Sequence, residues 1–116
     1  MNSVEVCLTH QQLENYQHID KNVIVIDVLR ATSTINTILF YGAKSVKPVE
    51  SLEECMKLRD KGYIIMAERM GKKVEGFDYG NSPTKIERDL FEEKNVGIAT
   101  SNGTKAIVKT KGSHIT

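Results

Sequence analysis

Tryptophan is absent from this chain of 116 residues, and cysteine and proline occur only twice each. Cys7 and Cys55 cannot build the disulfide framework of a small secreted scaffold, and no Cys-x-x-Cys or paired-histidine spacing offers a zinc site. Both cysteines read as small core residues in a reducing cytoplasm. Long apolar runs are missing too. None approaches the ~20 residues that cross a bilayer, and Met1-Asn2-Ser3-Val4-Glu5 lacks the basic and apolar regions of a signal peptide. A cytoplasmic protein without membrane contact is expected. Charge of one sign is equally scarce: 16 Lys and Arg stand against 15 Asp and Glu. The basic excess of a nucleic-acid binder is therefore lacking. A hydrophobic content of 40% also sets the chain apart from disordered, low-complexity sequences.

What is present suits one domain over residues 1–116, long enough to bury a core. Val4, Val6 and Leu8 alternate with polar residues and predict a half-buried strand. Val23 to Val28 is a β-branched run broken only by Asp27, which predicts a strand covered on both faces. Ile35, Ile38 and Leu39 fall at helical spacing between Ala31 and Tyr41, with Gly42 as the stop. Ser45–Val49 predicts a short strand, and Ser51-Leu52-Glu53-Glu54 is a capping box opening a helix that runs to Gly62. Tyr63–Ala67 predicts another buried strand. A polar stretch from Glu68 to Ser82 follows, with Gly71, Gly76 and Gly80 inside it. Ser82-Pro83 reads as an N-cap and first helical proline, opening a helix with Ile86, Leu90 and Phe91 on one face. Val96–Ala99 and Thr104–Val108 predict a last strand and helix. Strands alternating with helices imply an α/β fold, a mostly parallel sheet with helices on both faces.

The unusual polar residues fall at the ends of these strands. Asp27 and Arg30 close the Val23–Val28 strand, Glu68 and Arg69 follow the Tyr63–Ala67 strand, and Thr100-Ser101-Asn102-Gly103 follow the Val96–Ala99 strand. Carboxyl ends of parallel strands share one edge, where ligands bind, so these distant clusters are expected to meet. Each has a plainer reading alone. Asp27 is also a reasonable helix N-cap, Arg30 its ion-pair partner, Glu68-Arg69 an exposed pair, and Asn102-Gly103 a turn signal.

Guanidinium groups and free backbone N–H groups favour anions. Eleven of the 16 basic residues lie beyond residue 58, which fits an anionic ligand. Carboxylates beside such a site are explained if a hard cation sits between them and the anion. Mg²⁺ is the expected cofactor, because it accepts one or two carboxylates plus substrate oxygens. Asp27, Glu68 and Asp78 are the candidate metal ligands. Such an ion would polarise a phosphoryl oxygen and activate an attacking water. The usual phosphate motifs are missing: there is no Gly-x-x-x-x-Gly-Lys-Ser/Thr loop, no cysteine-phosphatase loop around Cys7 or Cys55, and Leu29 stands where an aspartyl-phosphate enzyme places a second aspartate. Spacing and composition end at an anion site on a sheet edge.

Four motifs, in order, carry a resemblance: Ile26-Asp27-Val28-Leu29-Arg30-Ala31-Thr32-Ser33-Thr34, Ala67-Glu68-Arg69, Gly76-Phe77-Asp78-Tyr79-Gly80-Asn81-Ser82-Pro83, and Thr100-Ser101-Asn102-Gly103-Thr104. Together they resemble the 2-phosphosulfolactate phosphatase (ComB) family, the third string being the most specific. Ser101 stands where the family often has threonine. The resemblance implies an α/β fold and a magnesium-dependent phosphatase that releases phosphate from 2-phosphosulfolactate, a step of coenzyme M biosynthesis in methanogens. It implies a small polyanionic substrate, Asp27, Arg30, Glu68 and Arg69 as catalytic residues, and Asn81, Ser82, Asn102, Gly103 and Thr104 as substrate-binding ones. Family members are longer, so the chain is expected to correspond to the N-terminal part of their fold. A non-catalytic anion-binding domain is the alternative, and self-association into a homo-oligomer is left open.

Overall fold

The computed structural model describes residues 2–112 and 114–115. A 3-10 turn at His10–Asn15 precedes β1 (Asn22–Val23), α1 (Ala31–Phe40), β2 (Ser45–Val49), α2 (Leu52–Arg59), β3 (Ile64–Arg69) and β4 (Lys72–Lys73). A second 3-10 turn (Pro83–Lys85), α3 (Arg88–Phe91), β5 (Asn95–Ala99), α4 (Gly103–Lys109) and β6 (His114–Ile115) follow. The main sheet has the order β2-β5-β3-β4. β5 runs parallel to both β2 and β3, while β4 turns back antiparallel on β3. This is the expected α/β architecture.

Strand periodicity divides the core in two. Along β3, Ile65 and Ala67 point to one face, where Val49, Cys55, Leu58, Phe77 and Ala99 join them. Met66 points to the other, with Ile38, Ile86, Phe91, Val96 and Ile98. α2 covers the first face and α1 the second, as a sheet apolar on both sides requires. α2 starts where its capping box predicts, Ser51 Oγ accepting from the Glu54 N–H at 3.1 Å. Gly97 lets α2 come close: a Cβ there would lie 2.6 Å from Leu58 Cδ1. Gly42 and Gly62, both at positive φ, reverse the chain after α1 and α2.

Three predicted elements differ. Residues 4–8 form no strand, and Val4, Val6 and Leu8 are exposed. The Val23–Val28 run pairs only through Asn22 and Val23, to His114 and Ile115. Ile24, Ile26 and Val28 are then 70%, 76% and 73% exposed. Extended chain is a buried strand only when neighbours take its N–H and C=O groups and a layer covers its side chains. Beyond Val23 the described residues add no ladder partner, and Ile24, Ile26 and Val28 are left in solvent. The helix expected from Ser82 to Phe91 is broken: Ser82 makes no side-chain cap, Ile86 is extended, and α3 begins at Arg88. Ile86 and Phe91 both enter the second core cluster, and a five-residue spacing cannot place them on one helical face, so the chain unwinds between them.

Candidate active site

At the carboxyl ends of β3 and β5 lies a cleft of about 360 Å³ lined by Asp27, Leu29, Arg30, Glu68, Gly71, Asn81, Thr100, Ser101 and Asn102. Three clusters that are far apart in the chain therefore share one wall, two of them at strand ends and the third, Asp27 and Arg30, in the loop that leads into α1. Glu68 is the penultimate residue of β3, Asn102 precedes α4, and Asp27 and Arg30 precede α1.

Hydroxyl groups hold the Asp27 loop. The Asp27 N–H donates to Thr32 Oγ1 at 2.9 Å, and Thr32 returns its own hydroxyl hydrogen to the Asp27 carbonyl at 2.8 Å. Ser33 Oγ donates to the Val28 carbonyl at 2.7 Å. The carboxylate rests against the start of α4. A Cβ on Gly103 would lie 2.5 Å from Asp27 Oδ2 and 2.3 Å from Ala31 Cβ, so only glycine admits this approach. The β5–α4 turn is closed by a reciprocal pair: the Thr104 N–H donates to Thr100 Oγ1 at 3.2 Å, and the Thr100 N–H to Thr104 Oγ1 at 3.3 Å. Glu68 is steadied by the Gly71 N–H, which donates to its Oε1.

Not every expected site residue reaches this cleft. Thr104 is buried and spent on Thr100, and Gly103 sits behind Asp27; neither lines the opening. Arg69 is exposed at the end of β3, paired in register with Lys72, and lines no cleft described here. Asp78 lies toward the opposite end of β3 from Glu68. Its Oδ2 accepts from the Ile65 N–H at 2.8 Å, and its Oδ1 is 3.7 Å from Arg59. With Asp78 N–H donating to the Ile65 carbonyl at 2.9 Å, this carboxylate fastens the Gly76–Pro83 string along β3, apart from Asp27 and Glu68. Ser82 lines a second cleft, also of about 360 Å³, with Arg30, Met66, Gly71, Lys73, Asp78, Tyr79, Gly80, Asn81, Lys85 and Ile86. Arg30, Gly71 and Asn81 belong to both.

Among the described residues no group of three or more His, Cys, Asp or Glu is placed to hold a metal ion. Asp27 and Glu68 share their cleft with hydroxyl and amide oxygens, a two-carboxylate donor set. That fits Mg²⁺, which keeps water and substrate oxygens, and not an all-protein cage. Sequence reasoning missed Thr32 and Ser33, whose hydroxyls just inside α1 are the signal for a tethered loop. It also missed Gly71 and Lys85, which carry no local signal.

The description "2-phosphosulpholactate phosphatase" belongs to a family model matching residues 7–116. A probable 2-phosphosulfolactate phosphatase of Thermotoga petrophila is 43% identical over 95 residues, covering 82% of this chain and 42% of the relative. Proteins of the same name from Clostridium tetani and Clostridium kluyveri are 41% and 39% identical, over 90% and 95% of this chain and 46% of each relative. The chain thus spans less than half the length of the curated relatives it matches. With the family model matching residues 7–116 and these relatives 39–43% identical across most of the chain, this chain belongs to the 2-phosphosulpholactate phosphatase family.

Proposed function

We propose that the first cleft binds the phosphate group of 2-phosphosulfolactate, or of a related phosphorylated 2-hydroxy acid, and supports its hydrolysis to the 2-hydroxy acid and inorganic phosphate. The observation that carries this is the convergence of Asp27, Arg30, Glu68 and Asn102 on one cleft in a chain about 40% identical to proteins of that name. Arg30 offers a planar fork of donors to the phosphoryl oxygens and opposes their growing charge. The side chains of Ser101 and Asn102 add donors from the β5–α4 turn. Asp27, fixed by Thr32 and Gly103, is held where it orients a water for attack and takes up its proton. Water supplies the oxygen that joins phosphorus, and the P–O ester bond breaks with the proton passing to the leaving alkoxide.

Asp27 and Glu68 would hold Mg²⁺. When bound, the ion supplies Lewis-acid stabilisation of the phosphoryl oxygens and lowers the pKa of a nearby water.

Phosphate release from 2-phosphosulfolactate with added Mg²⁺ tests the reading. Asp27→Asn is expected to lower turnover by about 10²- to 10³-fold, the range for losing one preorganised polar group. A variant that keeps the parent rate would overturn the role of Asp27. The alternative reading is a domain that binds the phosphate ester without turning it over. Calorimetric binding with no phosphate release identifies that case.

A further inference from the structure

The stretch that follows β1 has the residues of a strand and no sheet around it. Burial alternates along it: Val23, Val25 and Asp27 are half-buried, whereas Ile24, Ile26 and Val28 stand in solvent. Leu29, next in line, is 90% exposed. Four large apolar side chains within six residues are thus uncovered, beside the loop that brings Asp27 and Arg30 to the first cleft. Single exposed apolar residues are ordinary, but a contiguous row of them marks an interaction surface.

The backbone points the same way. β6 lies parallel to β1, with Asn22 opposite His114 and Val23 opposite Ile115, and among the described residues no ladder continues beyond Val23. Unpaired N–H and C=O groups on extended chain are a template for another strand. The existing ladder sets how that strand joins: parallel to β1, in line with β6, and opposite Ile24, Val25 and Ile26. A parallel strand apolar on both faces also needs a layer over its side chains, which β3 and β5 have and this stretch lacks.

Length identifies the occupant. This chain covers 42% to 46% of the relatives it matches, so each of them carries more than half of its residues outside the match. We infer that residues 24–28 are the docking edge for that other part of the family fold. It supplies an apolar strand parallel to β1, followed by a helix that covers Ile24, Ile26 and Val28. Being parallel, the docked strand ends at the same edge as Asp27, so its carboxyl end borders the first cleft. A second copy of this chain fits less well, because a two-fold axis pairs identical strands antiparallel, against the sense that β6 sets. The inference goes beyond the phosphatase reading and does not depend on it.

Co-expression and hydrogen exchange test it. The partner is the part of the Clostridium kluyveri relative outside its match to this chain, made as a separate polypeptide. It is expected to co-purify with the intact chain and to slow exchange of the Ile24, Val25 and Ile26 amides by at least about 100-fold, from rates within about tenfold of an unstructured peptide in the chain alone. Ile24→Lys/Ile26→Lys should abolish both effects with an unchanged circular dichroism spectrum, since both side chains are exposed. Met56→Lys, at an exposed apolar residue on α2, should change neither. Association that survives the double variant places the contact elsewhere and overturns the proposal. The full-length Clostridium kluyveri protein gives a second measurement that does not need the separate polypeptide to fold. Its amides aligned with residues 24–26 should exchange slowly, and fast exchange there overturns the proposal. A dimer of this chain alone, seen by sedimentation and broken by the double variant, assigns the edge to a second copy and overturns it as well. None of these measurements reads phosphate release, so failure here leaves the phosphatase reading standing.

Discussion

Two parts of this molecule are built from similar residues and end in different states. In β3 and β5, Ile65, Val96 and Ile98 have no exposed surface. In the stretch after β1, Ile24, Ile26 and Val28 have the same β-branched character and stand in solvent. The difference lies in neighbours. β5 has a ladder on each side and a helix on each face, whereas β1 has only a two-residue ladder with β6. Apolar side chains stabilise a strand by being covered, at about 25 cal/mol per Å² removed from water. Where nothing covers them, the same pattern contributes almost nothing. Asp27 lies on the uncovered part and draws its order from Thr32 and Gly103 instead of from a sheet.

The sharpest way to break this contrast is a matched pair of truncations followed by chemical denaturation. Phe91→Ala, in the second core cluster, is expected to cost about 3–5 kcal/mol, and Ile26→Ala no more than about 0.5 kcal/mol. Equal losses would show that the stretch around Ile26 is covered in solution. A smaller effect comes from adding volume. Gly97→Ala drives a methyl into Leu58 Cδ1, 2.6 Å away, and should destabilise by about 1–3 kcal/mol.

Gly103→Ala acts at the seam between the two regions. Its methyl would fall 2.5 Å from Asp27 Oδ2 and 2.3 Å from Ala31 Cβ, displacing the carboxylate. Turnover should fall by about 10²-fold, as for a 1 Å misplacement of a reacting group, with less change in KM than in kcat. Unaltered kcat would mean that Asp27 does not need this seat.

The two cysteines give the mildest comparison, Cys55 buried in the core and Cys7 half-buried ahead of the first 3-10 turn. Burial pushes the Cys55 thiol from 9.0 up to about 11, against a weaker opposing effect of its contact with the Met66 carbonyl. The folded state therefore keeps its proton where the unfolded thiol has lost it. That contribution to stability is complete below about pH 9 and lost as pH rises toward 11. Denaturation midpoints should decline over this window, and less so in Cys55→Ala. Alkylation near pH 8 should modify the partly exposed Cys7 first and reach Cys55 only on unfolding.

Much of the fold was legible because its signals are local. The capping box at Ser51, the stop at Gly42 and the apolar runs of β2, β3 and β5 each act within a few residues, and the structure places elements there. The candidate cleft was legible only in part through topology: Glu68 and Asn102 lie at the ends of neighbouring parallel strands, whereas Asp27 and Arg30 reach the same cleft from a loop that is no strand of that sheet. Asp78 was misplaced because residue type cannot tell a carboxylate aimed at a cleft from one that clamps a backbone N–H. Lys85 was invisible because its place on the second cleft depends on the unwound turn after Ser82.

The amino-acid order alone determined which segments favour helix or strand and which polar residues sit at strand ends, because both follow from backbone sterics and periodicity. Only the tertiary structure decided which apolar segments are buried, and how the polar residues divide between an acidic and a basic cleft. Burial and electrostatic environment are set by neighbours brought in from elsewhere in the chain, and no local pattern contains them.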